Sequence, residues 1–179
     1  MTTKSLSIEC EKQIESAKEF AADKFAKIGK KNHFLEVFNI MRDEFDIQDT
    51  EVLVAGLLHD TLEDTSTTYE EIKSIFSREI ADLVQEVSHP KNYNQEEKEE
   101  YYKKIKTIST GAKIIKMADF TSHLRNFIKI CKRGEQNLYP KFANNSKYIK
   151  SIRDFLDSCD ESIGKKIVYD LANQLEVLL

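Results

Sequence analysis

The stretch that decides the fold is VLVAGLLHDTLEDT, residues 52–65. Seven apolar or small residues, 52–58, lead directly into His59 and Asp60. At about 100° per residue these seven positions cover the full circumference of a helix. A helix that is apolar all round is normally buried on every side. We therefore predict a fully buried helix over residues 50–61.

The composition of the chain favours a single all-α domain. Its 179 residues are a typical length for one domain, and 40% hydrophobic residues are enough to form a core. Five glycines and two prolines leave few positions for the tight turns that a sheet requires. We predict a single-domain helical bundle over residues 1–179, built from seven or eight helices.

Charge and cysteine content indicate which partners and which cellular compartment to expect. A net charge of −4 and a pI near 5.7 provide no overall basic field for nucleic acid or an anionic membrane. The N-terminal residues lack an apolar signal segment, and no stretch approaches the roughly 18 apolar residues of a membrane span. Cys10, Cys131 and Cys159 are scattered, without C-x-x-C spacing, which is typical of reduced intracellular thiols. A cytoplasmic protein is expected.

Apolar residues at helical spacing and helix-stop signals predict the remaining helices. Thr67 or Thr68, with a glutamate three residues on, forms a capping box that opens one of them. That helix runs, with a break, to Ser88, because Pro90 follows. The other predicted helices cover residues 8–28, 33–45, about 112–132, 137–159 and 161–177, and the charged stretch 91–104 is predicted to be a solvated helix face.

Four polar residues at the end of the buried helix form the first candidate site. On a helix, His59 and Glu63, like Asp60 and Asp64, are i,i+4 pairs on one side. Carboxylates carried there by a buried helix face a desolvation cost of several kcal/mol each unless something pairs with them. A cation would do so, and imidazole beside carboxylate suits Mn, Fe or Zn. The alternative is an exposed helix end of ordinary polar residues, and spacing alone leaves both open.

Two further residues are candidate ligands. Asp119 lies in AKIIKMADFTSHLRNF, residues 112–127, on a helix face of small, apolar and uncharged polar residues. A carboxylate on such a face is either satisfied by hydrogen bonds or bound to something. His33, at the start of the predicted second helix, is either a ligand or an ordinary helix-start histidine.

The order His33, His59-Asp60, Asp119 resembles the H…HD…D pattern of the HD superfamily of metal-dependent phosphohydrolases. LLHDTLEDTSTTYEEIKSIFSREIADLVQEVS, residues 57–88, is similar to the hydrolase domain of RelA/SpoT proteins, with its HD-x-x-E-D box and T-x-x-E-x-I-x-x-x-F continuation. Residues 112–127 resemble that family's K-x-A-D-[KR]-x-x-N-L-R helix. The resemblance covers roughly residues 18–128 and does not extend to synthetase or regulatory regions, so it is greatest to the stand-alone small alarmone hydrolases, including the animal SpoT homologues.

This resemblance implies an all-helical HD bundle and a Mn²⁺-dependent activity. The reaction would remove the 3′-pyrophosphate from ppGpp or pppGpp and give GDP or GTP. Glu63 and Asp64 match the pair that activates the attacking water. Lys116 and Arg125, which flank Asp119, either supply positive charge to the substrate phosphates or are surface charges. The implied metal ligands are His33, His59, Asp60 and Asp119.

The chain departs from the family pattern in two places. The segment before His33, FAKIGKKNHF, is shorter than the family's Arg- and Lys-rich segment, and Lys30 and Lys31 are the residues expected to replace it in binding the nucleotide. His123 stands where the family has Asn. As the i,i+4 neighbour of Asp119, it either contacts the substrate or adds a metal ligand. His89, beside Pro90, is expected to be structural.

The sequence thus predicts a metal-dependent phosphohydrolase acting on (p)ppGpp. Two alternatives are an HD nucleotidase or phosphatase for another phosphorylated nucleotide, such as NADPH, and a non-catalytic nucleotide-binding HD domain. The expected partner is a small-molecule nucleotide, with no nucleic acid and no membrane, and a homodimer is left open. Residues after 135 are expected to pack on the core or to form a dimer contact.

Overall fold

The computed structural model describes residues 7–29, 32–89, 94–135 and 145–179. Within these ranges the regular structure is helical and no strand occurs, so the all-α prediction is confirmed. A π-helical turn, Ile40–Glu44, continues the second helix. The α-helices are α1 (Ile8–Ala26), α2 (His33–Asn39), α3 (Thr50–Leu58), α4 (Thr61–Asp64), α5 (Tyr69–Ile75), α6 (Arg78–Val87), α7 (Gln95–Lys104), α8 (Thr110–Lys132), α9 (Asn145–Leu156) and α10 (Ile163–Leu178).

Helix α3 lies in the middle of the core. All of its residues from Val52 to Leu58 are buried, and it packs against α1, α2, α6 and α8. Gly56 permits a close approach to the π-helical turn, because a Cβ at this position would lie 1.9 Å from Met41 Cε. The prediction of a helix buried on every side is confirmed.

Helix α8 provides the second wall of the core. Its 23 residues pack against α2, α3, α6 and α10, and twelve of them are buried. On its far side, α10 packs against both α8 and α9, and the buried side chains of these two C-terminal helices include Ile152, Phe155 and Val168. Residues 145–179 therefore contribute to the core, which was one of the two roles predicted for the residues after 135.

The predicted helix over residues 50–61 is wrong at its C-terminal end. The helix stops at Leu58, a turn at His59 and Asp60 follows, and α4 begins at Thr61. Thr61 Oγ1 donates a hydrogen bond of 2.6 Å to the Leu58 carbonyl, which stabilises this turn. The four polar residues are therefore divided between a turn and a new helix rather than carried on one.

The predicted number of helices is too low, because several predicted helices are divided. The segment 67–88 forms α5 and α6, with the expected break at residues 76–77, where the Ser77 hydroxyl accepts from the Ile80 N–H at 3.1 Å. Thr68 is the N-cap of α5, since its hydroxyl accepts from the Glu71 N–H at 3.2 Å. The part of the chain that the structure describes contains ten α-helices. The predicted stop at Pro90, the first residues of the charged stretch 91–104 and the first residues of the predicted helix 137–159 lie outside the described residues.

The three cysteines are present as thiols, with Cys10 and Cys131 partly exposed and Cys159 buried. They lie on α1, on α8 and just after α9, in three different parts of the fold. Across the described ranges, no helix combines the length and apolar character needed to span a membrane.

Candidate metal centre

The predicted ligands meet where α2, the α3–α4 turn and α8 come together. His33 is the first residue of α2, His59 and Asp60 form the turn, and Asp119 and His123 lie one turn apart on α8. Their donor atoms form two groups of three, each with all atoms within 4.8 Å of one another. The first group is His33, His59 and Asp60, and the second is His33, Asp119 and His123. His33 belongs to both groups, so the structure joins the four predicted ligands and His123 in one cluster.

His59 provides the best test of whether this cluster fits a metal ion. Its ring is 2% exposed, and Nδ1 lies 2.8 Å from the Gly56 carbonyl oxygen, to which Nδ1–H donates. That bond leaves a lone pair on Nε2, which is buried and has no hydrogen-bond partner. Nε2 lies 3.1 Å from Asp60 Oδ1, also a lone-pair atom. Two such atoms repel each other unless a cation binds both, so this pair fits a metal ion.

His33 is oriented in the same way by a residue that the sequence analysis did not assign. Ser122 Oγ lies 3.1 Å from His33 Nδ1, and the hydroxyl oxygen can accept Nδ1–H. Nε2 is then directed at Asp119 Oδ1, 3.1 Å away. Burial opposes protonation of His33, but the Asp119 carboxylate outweighs burial, so the pKa of His33 is raised. Ser122 follows Asp119 by three residues, and that spacing on one helix face was the available signal.

Asp119 is fixed by a buried ion pair. Lys116 Nζ donates to Asp119 Oδ2 at 2.8 Å, which leaves Oδ1 facing the imidazoles. The lysine is 7% exposed and lies over the rings of Tyr101 and Phe120, at 5.7 and 5.3 Å, so it is not a surface charge. Burial alone would raise the pKa of Asp119, but Lys116 and the nearby imidazoles hold it well below its usual range. Lys116 therefore orients Asp119 through a direct contact.

Glu63 lies on α4, one turn beyond the metal cluster, and is held by His89. Its side chain is 12% exposed. Oε1 accepts the His89 backbone N–H at 2.9 Å, and Oε2 lies 2.9 Å from His89 Nε2. The ring of His89 packs edge-to-face on Tyr101, with 5.3 Å between centroids. A structural role is predicted for His89 because it lies beside Pro90 at a helix end, and nothing in a separation of 26 residues connects it to Glu63. Asp64, the second residue of the predicted pair, is partly exposed on the same helix.

His123 lies at the solvent side of the cluster. Its side chain is 46% exposed, and Nδ1 is 3.3 Å from Asp119 Oδ1. The ring stacks on that of His33, with centroids 4.9 Å apart and planes 16° from parallel. The attraction of Asp119 favours protonation, but burial and the charges of His33 and Lys116 outweigh it, so the pKa of His123 is lowered. A neutral ring with a free lone pair can either bind a metal ion or accept a hydrogen bond.

The basic residues predicted to bind the substrate phosphates are in different situations. Arg125 forms a two-pronged ion pair with Glu44 of the π-helical turn, at 2.6 and 2.7 Å. It lines an open groove of about 460 Å³ together with Leu35, Glu36 and Asn39. The groove therefore carries carboxylates beside its one arginine. Lys30 and Lys31 lie outside the described residues.

Comparison with known proteins defines the class of this fold and site. Residues 14–146 match the family model described as HD domain. The chain belongs to the HD domain family. It is therefore an HD-type hydrolase, a class that uses divalent metal ions, and its His/Asp cluster fits such an ion.

The relatives that this chain resembles within the family include proteins that are named for one enzymatic activity. Guanosine-3′,5′-bis(diphosphate) 3′-pyrophosphohydrolase MESH1 of Xenopus tropicalis is 36% identical over 151 residues, covering 78% of this chain and 84% of the relative. MESH1 of Homo sapiens is 31% identical over 162 residues, covering 84% and 90%. A solved structure of a metazoan SpoT ortholog that hydrolyzes ppGpp is 23% identical, has a TM-score of 0.70, covers 98% and 96% of the two chains, and shows the same fold. The predicted resemblance to RelA/SpoT-type hydrolases is confirmed.

Proposed function

We propose that this chain is a (p)ppGpp 3′-pyrophosphohydrolase that uses Mn²⁺ and releases GDP or GTP and pyrophosphate. The observation that carries the proposal is the buried His59 Nε2, a lone pair without a hydrogen-bond partner beside Asp60 in the cluster that His33 connects to Asp119. The named activity of the MESH1 relatives supports the choice of substrate.

The roles of the site residues follow from their contacts. His33, His59, Asp60 and Asp119 would hold the metal ion. When bound, such an ion lowers the pKa of a water toward about 7 and neutralises charge on the phosphate. Glu63 is the proposed general base that accepts the proton of the attacking water, and His89 holds its carboxylate in place. Asp64 is proposed to orient that water.

Positively charged side chains are proposed to contact the phosphates of the substrate. Arg125, Lys30 and Lys31 are proposed to approach the phosphates, and Arg125 would exchange all or part of its contact with Glu44 to do so. Lys116 acts through Asp119 and is a positioning residue. For His123, substrate contact is one of two proposed roles, and metal binding is the other.

One observation favours a second candidate substrate. Glu44 neutralises Arg125 in the groove, so this arginine offers less charge to a guanosine tetraphosphate than an unpaired one would. A nucleotide that presents a single 2′- or 3′-phosphate to the site, such as NADPH, needs less compensation. The arrangement of Glu63 beside the metal cluster argues against a domain that only binds a nucleotide, because a binding module requires no proton acceptor.

The setting of the enzyme is part of the same proposal. We propose a single domain over residues 1–179, located in the cytoplasm, where its three unpaired cysteines would remain reduced. The net charge of −4 supports a small-molecule substrate rather than nucleic acid or a membrane surface. A homodimer stays a prediction.

A comparison of substrates tests the proposal. With Mn²⁺, we expect kcat/KM for ppGpp to exceed that for NADPH by at least about tenfold, since ppGpp carries the 3′-pyrophosphate that the MESH1 relatives are named for removing, whereas NADPH carries a single 2′-phosphate. Products are separated by anion-exchange chromatography, and Glu63→Gln controls for contaminating phosphatase. Conversion of NADPH to NADH and phosphate at the higher efficiency would contradict the choice of substrate but not the metal site.

A further inference from the structure

His123 is directed at the oxygen that the metal site would use. Asp119 and His123 are i,i+4 neighbours within the 23-residue helix α8, so their spacing is rigid. Asp119 Oδ2 is held by Lys116, and His123 Nδ1 faces the other oxygen, Oδ1, at 3.3 Å. Two donor atoms that bind one ion at about 2.1 Å, at angles between 90° and 109°, lie roughly 3.0 to 3.4 Å apart. The Nδ1–Oδ1 distance is within that range.

The imidazole ring of His123 is held in this orientation by two aromatic neighbours. It stacks on His33, and the ring of Phe127 is also 16° from parallel with it, with centroids 6.5 Å apart. The stack continues to His59, whose ring meets that of His33 edge-on at 5.2 Å. Three imidazoles are thus arranged in contact around the two carboxylates, with their ring planes set by packing.

The two groups of donor atoms describe one centre rather than two. They share His33, whose Nδ1 faces Ser122 Oγ and whose Nε2 is 3.1 Å from Asp119 Oδ1. A ring nitrogen has one lone pair and binds one ion. Because Nδ1 of His33 faces Ser122, Nε2 is the atom left to bind a metal ion, and we infer that the remaining donors of both groups surround the same ion.

We propose that His123 is a fifth protein ligand of the metal ion, which gives a centre of three imidazoles and two carboxylates. This inference rests on the proposed metal site. A third imidazole favours the later first-row ions, Co²⁺ and Zn²⁺, more than it favours Mn²⁺. His123 therefore changes the metal preference of the site from that of a two-imidazole, two-carboxylate centre.

Metal titration of the full-length, metal-free protein tests this assignment. We expect His123→Asn to weaken Co²⁺ binding by at least about tenfold and Mn²⁺ binding by less. The visible absorption of the Co²⁺ protein should change in band position and intensity, because the ligand number changes. His89→Asn is the matched control: it removes an imidazole that contacts Glu63 and lies outside both donor groups, so Co²⁺ affinity and spectrum should stay unchanged.

The outcomes distinguish an error in the role of His123 from an error in the proposed metal site itself. If His123→Asn and His123→Ala both keep the wild-type Co²⁺ affinity and spectrum, His123 is not a ligand, and a rise in KM for the nucleotide in the same variants would assign it to the substrate. If the wild-type chain binds neither Co²⁺ nor Mn²⁺, the proposed metal site itself is wrong. Circular dichroism of each metal-free variant confirms that it is folded.

Discussion

Glu63→Gln is expected to lower kcat by about 10²- to 10⁴-fold, the usual contribution of a general base. Glutamine keeps the shape of the side chain and can still accept the His89 N–H, but it cannot take a proton from water. The proposed metal ligands are unchanged, so the expected rise in melting temperature on Mn²⁺ binding should persist. Product formation under single-turnover conditions measures the loss of catalysis. A thermal melt with and without Mn²⁺ measures whether metal binding is retained.

Glu70→Gln is the matched control for that substitution. Glu70 is a glutamate at the exposed start of α5, where it pairs with Lys73, and its substitution should leave kcat within about twofold of the wild-type value. A Glu63→Gln variant with near wild-type kcat would contradict the role of Glu63 as base. Loss of the Mn²⁺ effect on the melt would instead place Glu63 among the metal ligands.

Asp119→Asn is expected to abolish Mn²⁺ binding and to destabilise the metal-free protein. The substitution removes the counter-charge of Lys116, which is buried and cannot regain its hydration. Breaking one side of a buried ion pair costs about 3–5 kcal/mol. For a domain of this size, that cost lowers the melting temperature by roughly 6–20 °C. Chemical denaturation and calorimetry without metal measure the stability, and Mn²⁺ titration measures the binding.

A double variant separates the two functions of Asp119. Lys116→Met together with Asp119→Asn removes both charges, so much of the lost stability should return while Mn²⁺ binding and turnover stay absent. If the double variant is no more stable than Asp119→Asn alone, the ion pair is not the cause of the destabilisation. Turnover by either variant would contradict the assignment of Asp119 as a metal ligand.

The difference in stability between the wild type and Asp119→Asn should change with pH in a defined direction. The pKa of Asp119 is lowered in the folded state, so its charge contributes stability above the unfolded carboxyl pKa of about 3.9. That contribution is lost only as the pH falls through the lowered folded pKa. The difference in free energy of unfolding between the wild type and Asp119→Asn, both metal-free, should therefore shrink below about pH 4. Between about pH 8 and pH 5 the difference should grow as the pH falls, because Asp119 raises the pKa of His33 and the variant loses that attraction.

The buried helix could be predicted from a local pattern, whereas the residues that meet in the cluster were indicated by the resemblance to the HD superfamily. An apolar run that covers all sides of a helix has no stable position except the core, and α3 occupies it. The turn at His59 and Asp60 could not be predicted, because the residues up to Asp64 continue a helical pattern. The break depends on side-chain hydrogen bonding by Thr61, which competes with continuation of the helix.

The contacts that tune the site were not predictable, since each joins distant segments. His89 reaches Glu63 because the C-terminal end of α6 lies beside α4, and no periodicity records that neighbourhood. Arg125 meets Glu44 because the π-helical turn that carries Glu44 packs against α8. In both cases the partner of the residue is set by tertiary packing.

The most direct test of the central claim is the turnover of ppGpp by metal-stripped protein before and after Mn²⁺ is restored. The claim is that His33, His59, Asp60 and Asp119 hold a divalent ion on which hydrolysis depends. The predicted result is no product without metal, and GDP with pyrophosphate in equal amounts once Mn²⁺ is added. Hydrolysis at an undiminished rate in the stripped protein, or none with Mn²⁺ or any other divalent ion, would contradict it.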